Sequence, residues 1–214
     1  SLHELAKDPS SLTSRTQVLN YGQSFTEYFN SLSTSMKSIQ EECNFEIKNT
    51  VDQINSLGMQ ISTISKQINT LEANGGTAND LRDQRALLVD KLSELVDISV
   101  NETPNVDGSK VASYVIYIDG HVLVDNNNHN RLELVPRENK IKQNDIDGLY
   151  DIRWNDGQNF NMGSPYVGGT LRALYQLRDG NNQENLYGSI SEVIEGPEEG
   201  SVIRIDNASI NVIE

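Results

Sequence analysis

Ile54-Asn55-Ser56-Leu57-Gly58-Met59-Gln60-Ile61-Ser62-Thr63-Ile64-Ser65-Lys66-Gln67-Ile68-Asn69-Thr70-Leu71 decides the fold. Its apolar residues Ile54, Leu57, Ile61, Ile64, Ile68 and Leu71 stand 3, 4, 3, 4 and 3 apart, the seam of a helix that packs along one narrow face. Upstream, Phe25, Phe29, Leu32, Met36, Ile39 and Cys43 repeat the pattern in steps of 4, 3, 4, 3 and 4. Cys43, Ile47, Val51 and Ile54 join the two runs in steps of 4, 4 and 3, a stutter that keeps the stripe on one face while locally unwinding a supercoil. No proline lies between Pro9 and Pro104. The spacing therefore allows a single helix from about Thr13 to about Leu71, about 90 Å long, and leaves open whether the stretch forms one helix or two. Gly58 is its weak point and marks either a bend or a close helix contact.

Asn74-Gly75-Gly76 ends this helix, with glycine where a left-handed cap is needed. Thr77-Ala78-Asn79-Asp80 resembles a capping box, and a second helix over about 78–97 carries Leu81, Arg85, Leu88, Leu92 and Leu95 on one face. The short connection makes the pair an antiparallel hairpin. Arg85 occupies a seam position, so its head either reaches out to water or pairs with an acid on the facing helix. The outer face of the long helix holds Asn49, Thr50, Gln53, Asn55, Ser56, Gln60, Ser62, Thr63, Gln67 and Asn69, polar but uncharged. Uncharged groups cost less to desolvate than ions, so this face suits packing against neighbouring subunits as well as it suits water.

Past residue 100 the period changes to two. Val111-Ala112-Ser113-Tyr114-Val115-Ile116-Tyr117-Ile118, then Asp119-Gly120, then His121-Val122-Leu123-Val124 reads as a hairpin on a type I′ turn. Residues 131–135 and 150–154 read as further strands, with a turn at Asn155-Asp156-Gly157. Gly168-Gly169-Thr170 opens a short helix with Leu171, Leu174 and Leu177 on one side, and 188–214 alternates in strand fashion. Segregated helices and strands make the fold class α+β: a long antiparallel, coiled-coil-like helical hairpin followed by antiparallel β modules.

Composition narrows the function. Acids outnumber bases 31 to 17, giving −14. That balance argues against nucleic acid and against anionic membrane surfaces. The sequence has no apolar run long enough to span a bilayer. Cys43 is the single cysteine, so the chain has no internal disulfide and no multi-thiolate metal site. The apolar content, about 39 % counted with glycine and without tyrosine, is low for a globular chain and suggests an elongated protein or a core finished by partners. With no initiating Met and an end inside a strand-like stretch, the chain reads as an internal fragment.

No motif supplies chemistry. Gly163-Ser164-Pro165-Tyr166-Val167-Gly168-Gly169-Thr170 approaches a phosphate-binding loop but has Gly169 where the lysine belongs. Gln143-Asn144-Asp145-Ile146-Asp147-Gly148 approaches a calcium loop, yet its twelfth position is Trp154 instead of a bidentate glutamate. His3, His121 and His129 have no spacing for a shared metal. Asn101-Glu102-Thr103 and Asn207-Ala208-Ser209 are glycosylation sequons with nothing to place them in a glycosylating compartment. A hydrolase would rest on Asp145, Asp147, Asp151 and Asp156, which lack a catalytic spacing. The expectation is no catalysis, no cofactor and no metal. An adhesin or coiled-coil adaptor with β binding domains is the alternative outside enzymes; it would need an aromatic patch, for which only Trp154 and scattered tyrosines are available.

Three stretches resemble the flagellar hook-associated protein 1 family, the first junction protein between hook and filament. They are Leu5-Ala6-Lys7-Asp8-Pro9-Ser10-Ser11, Thr50-Val51-Asp52-Gln53-Ile54-Asn55, and above all the run from Ala78 to Val96, which is similar to the family's N-D-L-x-D-Q-R-x-x-L-x-x-x-L-S-x-x-V element. Gly168-Gly169-Thr170-Leu171-Arg172-Ala173-Leu174, with Leu177-Arg178-Asp179, is similar to the helix after the family's first β portion. The resemblance implies an extracellular axial component of the bacterial flagellum, exported by the flagellar type III apparatus without a cleaved signal and devoid of enzymatic activity. The implied partners are copies of itself in a ring, the hook protein, the second junction protein, and an export chaperone acting on a C-terminal region this chain lacks. It also implies coiled-coil segments at the two chain termini that build the inner tube, and a C-terminal helix that completes the helical domain, none of which this stretch of sequence is expected to contain. Other axial proteins (second junction protein, hook protein, flagellin) match the 80–96 element less well. The domains expected are a helical hairpin over 1–100, a β-rich module over 101–165, a short helix over 166–180 packing back on the helices, and from 181 the start of a variable inserted β domain. Periodicity puts the candidate interface on Gln53, Gln60 and Gln67 with Arg82 and Arg85.

Overall fold

Helix α2 (Leu12–Ala73) runs unbroken for 62 residues, about 90 Å, after a short α1 (Leu2–Lys7). The structure, a computed structural model, describes residues 2–103, 113–140, 145–164, 166–179, 186–195 and 201–210; of the last two stretches it describes the strands alone. Pro104, Val111, Ala112, Gln143, Asn144 and Pro165, and residues 196–200 and 211–214 of the strand-like stretch, all invoked above, lie outside the described residues, as do 180–185. Ser11 caps α2, its hydroxyl accepting from the Ser14 amide at 3.3 Å. At the other end the Gly75 amide donates to the Glu72 carbonyl and the Gly76 amide to the Leu71 carbonyl, while Gly75 sits at φ +85°. These two bonds make the complete left-handed helix stop that the sequence predicts.

Helix α3 (Asn79–Leu95) folds back along α2. The expected capping box is not formed: the N-cap is Ala78, which has no side chain to accept, and Asp80 serves only as an acid in the first turn. Strands β1 (Ser99–Thr103), β2 (Ser113–Ile118), β3 (His121–Asp125) and β4 (Asn128–His129) form an antiparallel sheet in that order. Between β2 and β3 the turn residues Asp119 and Gly120 both carry positive φ, as a type I′ turn requires. Strands β5 (Leu132–Pro136) and β6 (Tyr150–Trp154) form a second antiparallel ladder. Helix α4 (Gly169–Asp179) packs on α2 and α3, and β7 (Leu186–Glu195) pairs with β8 (Ser201–Ile210).

One core unites hairpin and strands. Ile47, Val51, Ile54 and Ile61 of α2 and Leu92 and Val96 at the end of α3 bury against Ile116, Ile118, Leu123, Leu132, Trp154 and Leu171. Gly58 neither bends nor meets a helix: a Cβ there would stand 3.6 Å from Leu123 of β3, which lies across the gap. The Gly168-Gly169 pair is a close-packing device and not an anion loop. A Cβ on Gly169 would come within 2.7 Å of the Leu95 carbonyl, so only glycine lets α4 start against the end of α3. On α4, Leu171 is buried as expected, but Leu177 is 62 % exposed and the last turn buries Arg178 instead.

Candidate assembly surface

The two halves of α2 have different surroundings. Between residues 12 and 42 nothing is buried; Phe25, Phe29 and Met36 are 65, 51 and 62 % exposed although their spacing is that of a packed seam. From Cys43 onward Ile47, Ile54, Ile61 and Ile68 are fully or almost fully buried. Burial pushes the Cys43 thiol up, which keeps it a small apolar group. The border between the halves is polar. The Gln40 carboxamide donates to Asp145 at 2.9 Å and to the Arg178 carbonyl at 3.2 Å, and accepts from the Ile146 amide at 3.0 Å. The Asn44 carboxamide accepts from the Tyr150 amide at 2.9 Å. Eleven residues on, Asn55 donates to the Leu132 carbonyl and accepts from the Leu132 amide, both at 2.8 Å, as a neighbouring strand would. Part of the uncharged face is therefore used inside the molecule.

Gln53, Gln60 and Gln67 stay exposed, and Gln53 and Gln60 line an open groove with Ser56, Leu57, Lys91 and Glu94 between α2 and α3. Arg82 and Arg85 lie elsewhere, at the tip of the hairpin. Arg82 pairs with Glu72 of α2 and Glu102 of β1, both at 2.9 Å. Arg85 does not reach water and does not pair with the facing helix: it is buried, donates to Glu102 at 2.9 Å, and lies with its guanidinium carbon 3.5 Å from the Tyr114 ring centre. Two arginines and two glutamates thus fasten β1 and β2 to the hairpin.

A second ionic centre went unread in the sequence. Arg178, whose side chain is fully buried, donates to Asn44, to the Tyr150 carbonyl at 2.7 Å and to Asp179 at 3.0 Å. Arg137, next to the end of β5, joins Asp151 at 2.9 Å and Asp179 at 3.1 Å. Burial pushes the Asp179 carboxyl up, but its bonds to Arg178 and then Arg137 outweigh this and hold it below its ordinary value.

Each of the acids a hydrolase would use has a partner, although Asp147 and Asp156 keep theirs at the surface. Asp145 accepts from Gln40, Asp147 from Lys140, Asp151 from Arg137, and Asp156 from the Gln158 amide. Among the described residues no three His, Cys, Asp or Glu side chains converge to hold a metal. His121 stacks on Trp154, while His129 meets Ser62 at 3.4 Å. No helix among the described residues is long and apolar enough to cross a membrane.

The described residues thus form a long helix covered along its second half by strands of the same chain and held there by polar grips. Comparison with known proteins gives the family. The model of the flagellar hook-associated protein FlgK helical domain matches residues 1–193. Flagellar hook-associated protein 1 of Bacillus subtilis (strain 168) is 41 % identical over 101 residues, 47 % of this chain and 20 % of the relative. That of Escherichia coli (strain K12) is 27 % identical over 138 residues, 64 % and 24 % of the two chains. The solved flagellar hook junction protein FlgK from Burkholderia pseudomallei superposes with a TM-score of 0.66 at 23 % identity, covering 83 % of this chain and 31 % of that one, which supports the fold. The chain belongs to the FlgK family of flagellar hook-associated proteins, a family of structural flagellar components. It spans about a fifth to a quarter of the length of these curated relatives.

Proposed function

We propose that the chain is part of a junction subunit between hook and filament of the bacterial flagellum, acting by packing and without catalysis. The observation that carries this reading is the half-clothed helix: a heptad seam left open over residues 25–39 and an uncharged, exposed row at Gln53, Gln60 and Gln67. Such surfaces bury against protein without stranding ions. In this reading the three glutamines meet the neighbouring copy in a ring. Arg82 offers its outer edge there, and Arg85 acts from inside by stiffening the hairpin tip. The hook protein and the second junction protein lie on the two axial sides. An export chaperone binds outside this chain, and export through the flagellar type III apparatus delivers the protein to the cell exterior without a cleaved signal. The residues from 181 begin a β domain inserted into the axial framework.

Deleting the gene for the full-length protein tests the role. The expected result under the electron microscope is hooks without filaments, with flagellin shed into the medium; normal filaments would overturn the proposal. Replacing Gln53, Gln60 and Gln67 together by Glu tests the surface: motility is lost while thermal stability holds. Unchanged motility would remove the glutamine row from the interface.

A further inference from the structure

We infer that the last turn of α4 is an ionic latch, in which Asp179, clasped by Arg178 and Arg137, fixes the point from which the chain runs on toward β7. The inference concerns this fold itself and holds whatever the axial position of the protein. Three observations lead to it. First, α4 is anchored differently at its two ends. Leu171 is buried in the common core and Leu174 and Tyr175 pack against it, whereas Leu177 is 62 % exposed, so beyond Tyr175 no apolar side chain of α4 is buried. Second, an acid at a helix C-terminus faces the negative end of the helix dipole and should loosen that turn. Asp179 is nevertheless well buried, and what holds it is a pair of guanidinium groups from two different elements. Third, the clasp reaches four elements at once: Arg178 binds Asn44 of α2 and the Tyr150 carbonyl of β6, while Arg137 links the end of β5 to Asp151 of β6 and to Asp179.

A turn held mainly by charged and polar bonds loosens when one of the charges is removed; a turn docked by apolar contact does not. The latch therefore loosens first, leaving the first half of α4, held by Leu171, in place. The charged and titratable groups around the Arg178–Asp179 pair are Tyr175 on α4, Arg137, Asp151, and, facing Arg178 from α2, Cys43, which Glu42 in turn faces.

Hydrogen exchange of the full chain with Asp179→Asn tests this. Amides of residues 175–179 should exchange at least tenfold faster, while those of 169–173 and of β2 and β3 change less than twofold. No change, or an equal rise throughout, would overturn the latch. If the variant does not fold, the unmodified chain serves. Asp179 has its carboxyl held below the ordinary 3.8, so its contribution is present above that pH and is lost as the pH falls through the lowered value. Protection factors of 175–179, corrected for intrinsic rates, should then fall at a higher pH than those of β2 and β3. Simultaneous loss would overturn the proposal equally.

Discussion

Residues 25–39 and 54–68 of α2 follow the same apolar repeat, yet the second stretch is covered and the first is bare. The difference is in what flanks the seam. In the covered half, carboxamides stand beside the apolar residues and grip backbone: Asn44 at Tyr150 and Asn55 at Leu132. In the bare half the Thr26 and Thr34 hydroxyls donate to carbonyls of the helix itself, at Gly22 and Asn30, as the Thr50 and Thr63 hydroxyls also do in the covered half; what the bare half lacks is a carboxamide that grips a strand. A seam says that a helix will be packed; the residues beside it say whether the partner is a sheet of the same molecule.

This contrast can be broken by mutation, with effects graded from large to small. Ile54→Ala, in the covered half, removes a fully buried side chain and should cost about 2–5 kcal/mol in urea unfolding. Asn55→Ala should cost about 1–3 kcal/mol, because the amide and carbonyl of Leu132 both lose their partner, and exchange at the Leu132 amide should rise with it. Gly58→Ala should stabilise by up to about 1 kcal/mol: the added methyl meets Leu123 at ordinary contact distance and the helix gains alanine's preference. A loss at that site would mean that Leu123 packs more tightly than its 3.6 Å separation implies. Leu32→Ala, in the bare half, should move the midpoint of this chain by less than about 0.5 kcal/mol. A cost near that of Ile54→Ala would show that the bare seam is already partnered in solution.

Local features were legible in the sequence and non-local ones were not. The helix period and the Gly75 stop depend on residues a few positions apart, and the fold class followed from them. The type I′ turn at Asp119-Gly120 was readable for the same reason. Strand β1 was missed because Ser99-Val100-Asn101-Glu102-Thr103 is exposed on both faces and shows no alternation. For Arg85, the seam position pointed to burial, but its partners Glu102 and Tyr114 lie 17 and 29 residues on, beyond any helical spacing. The Arg178 centre was invisible because Asn44 is 134 residues away and Arg137 sits in an unremarkable strand end. The leucine period extended α4's apolar face one turn too far, to Leu177, where ions had taken over the docking. Asparagine is ambiguous by nature. Among ten uncharged residues on one face, nothing in the sequence separates Asn55, which grips a strand, from Gln60, which lines an open groove.

The Gln40 and Asn44 grips also have a mechanical meaning. They stand where the supported part of α2 ends, so they are the fulcrum of a lever whose free arm reaches back to Leu12, a length of about 40 Å at the rise of a helix. On such an arm a tilt of one degree at the fulcrum displaces the far end by roughly 0.7 Å. The position of the free end is thus set not by the apolar residues it presents but by the stiffness of a few carboxamide bonds several turns away.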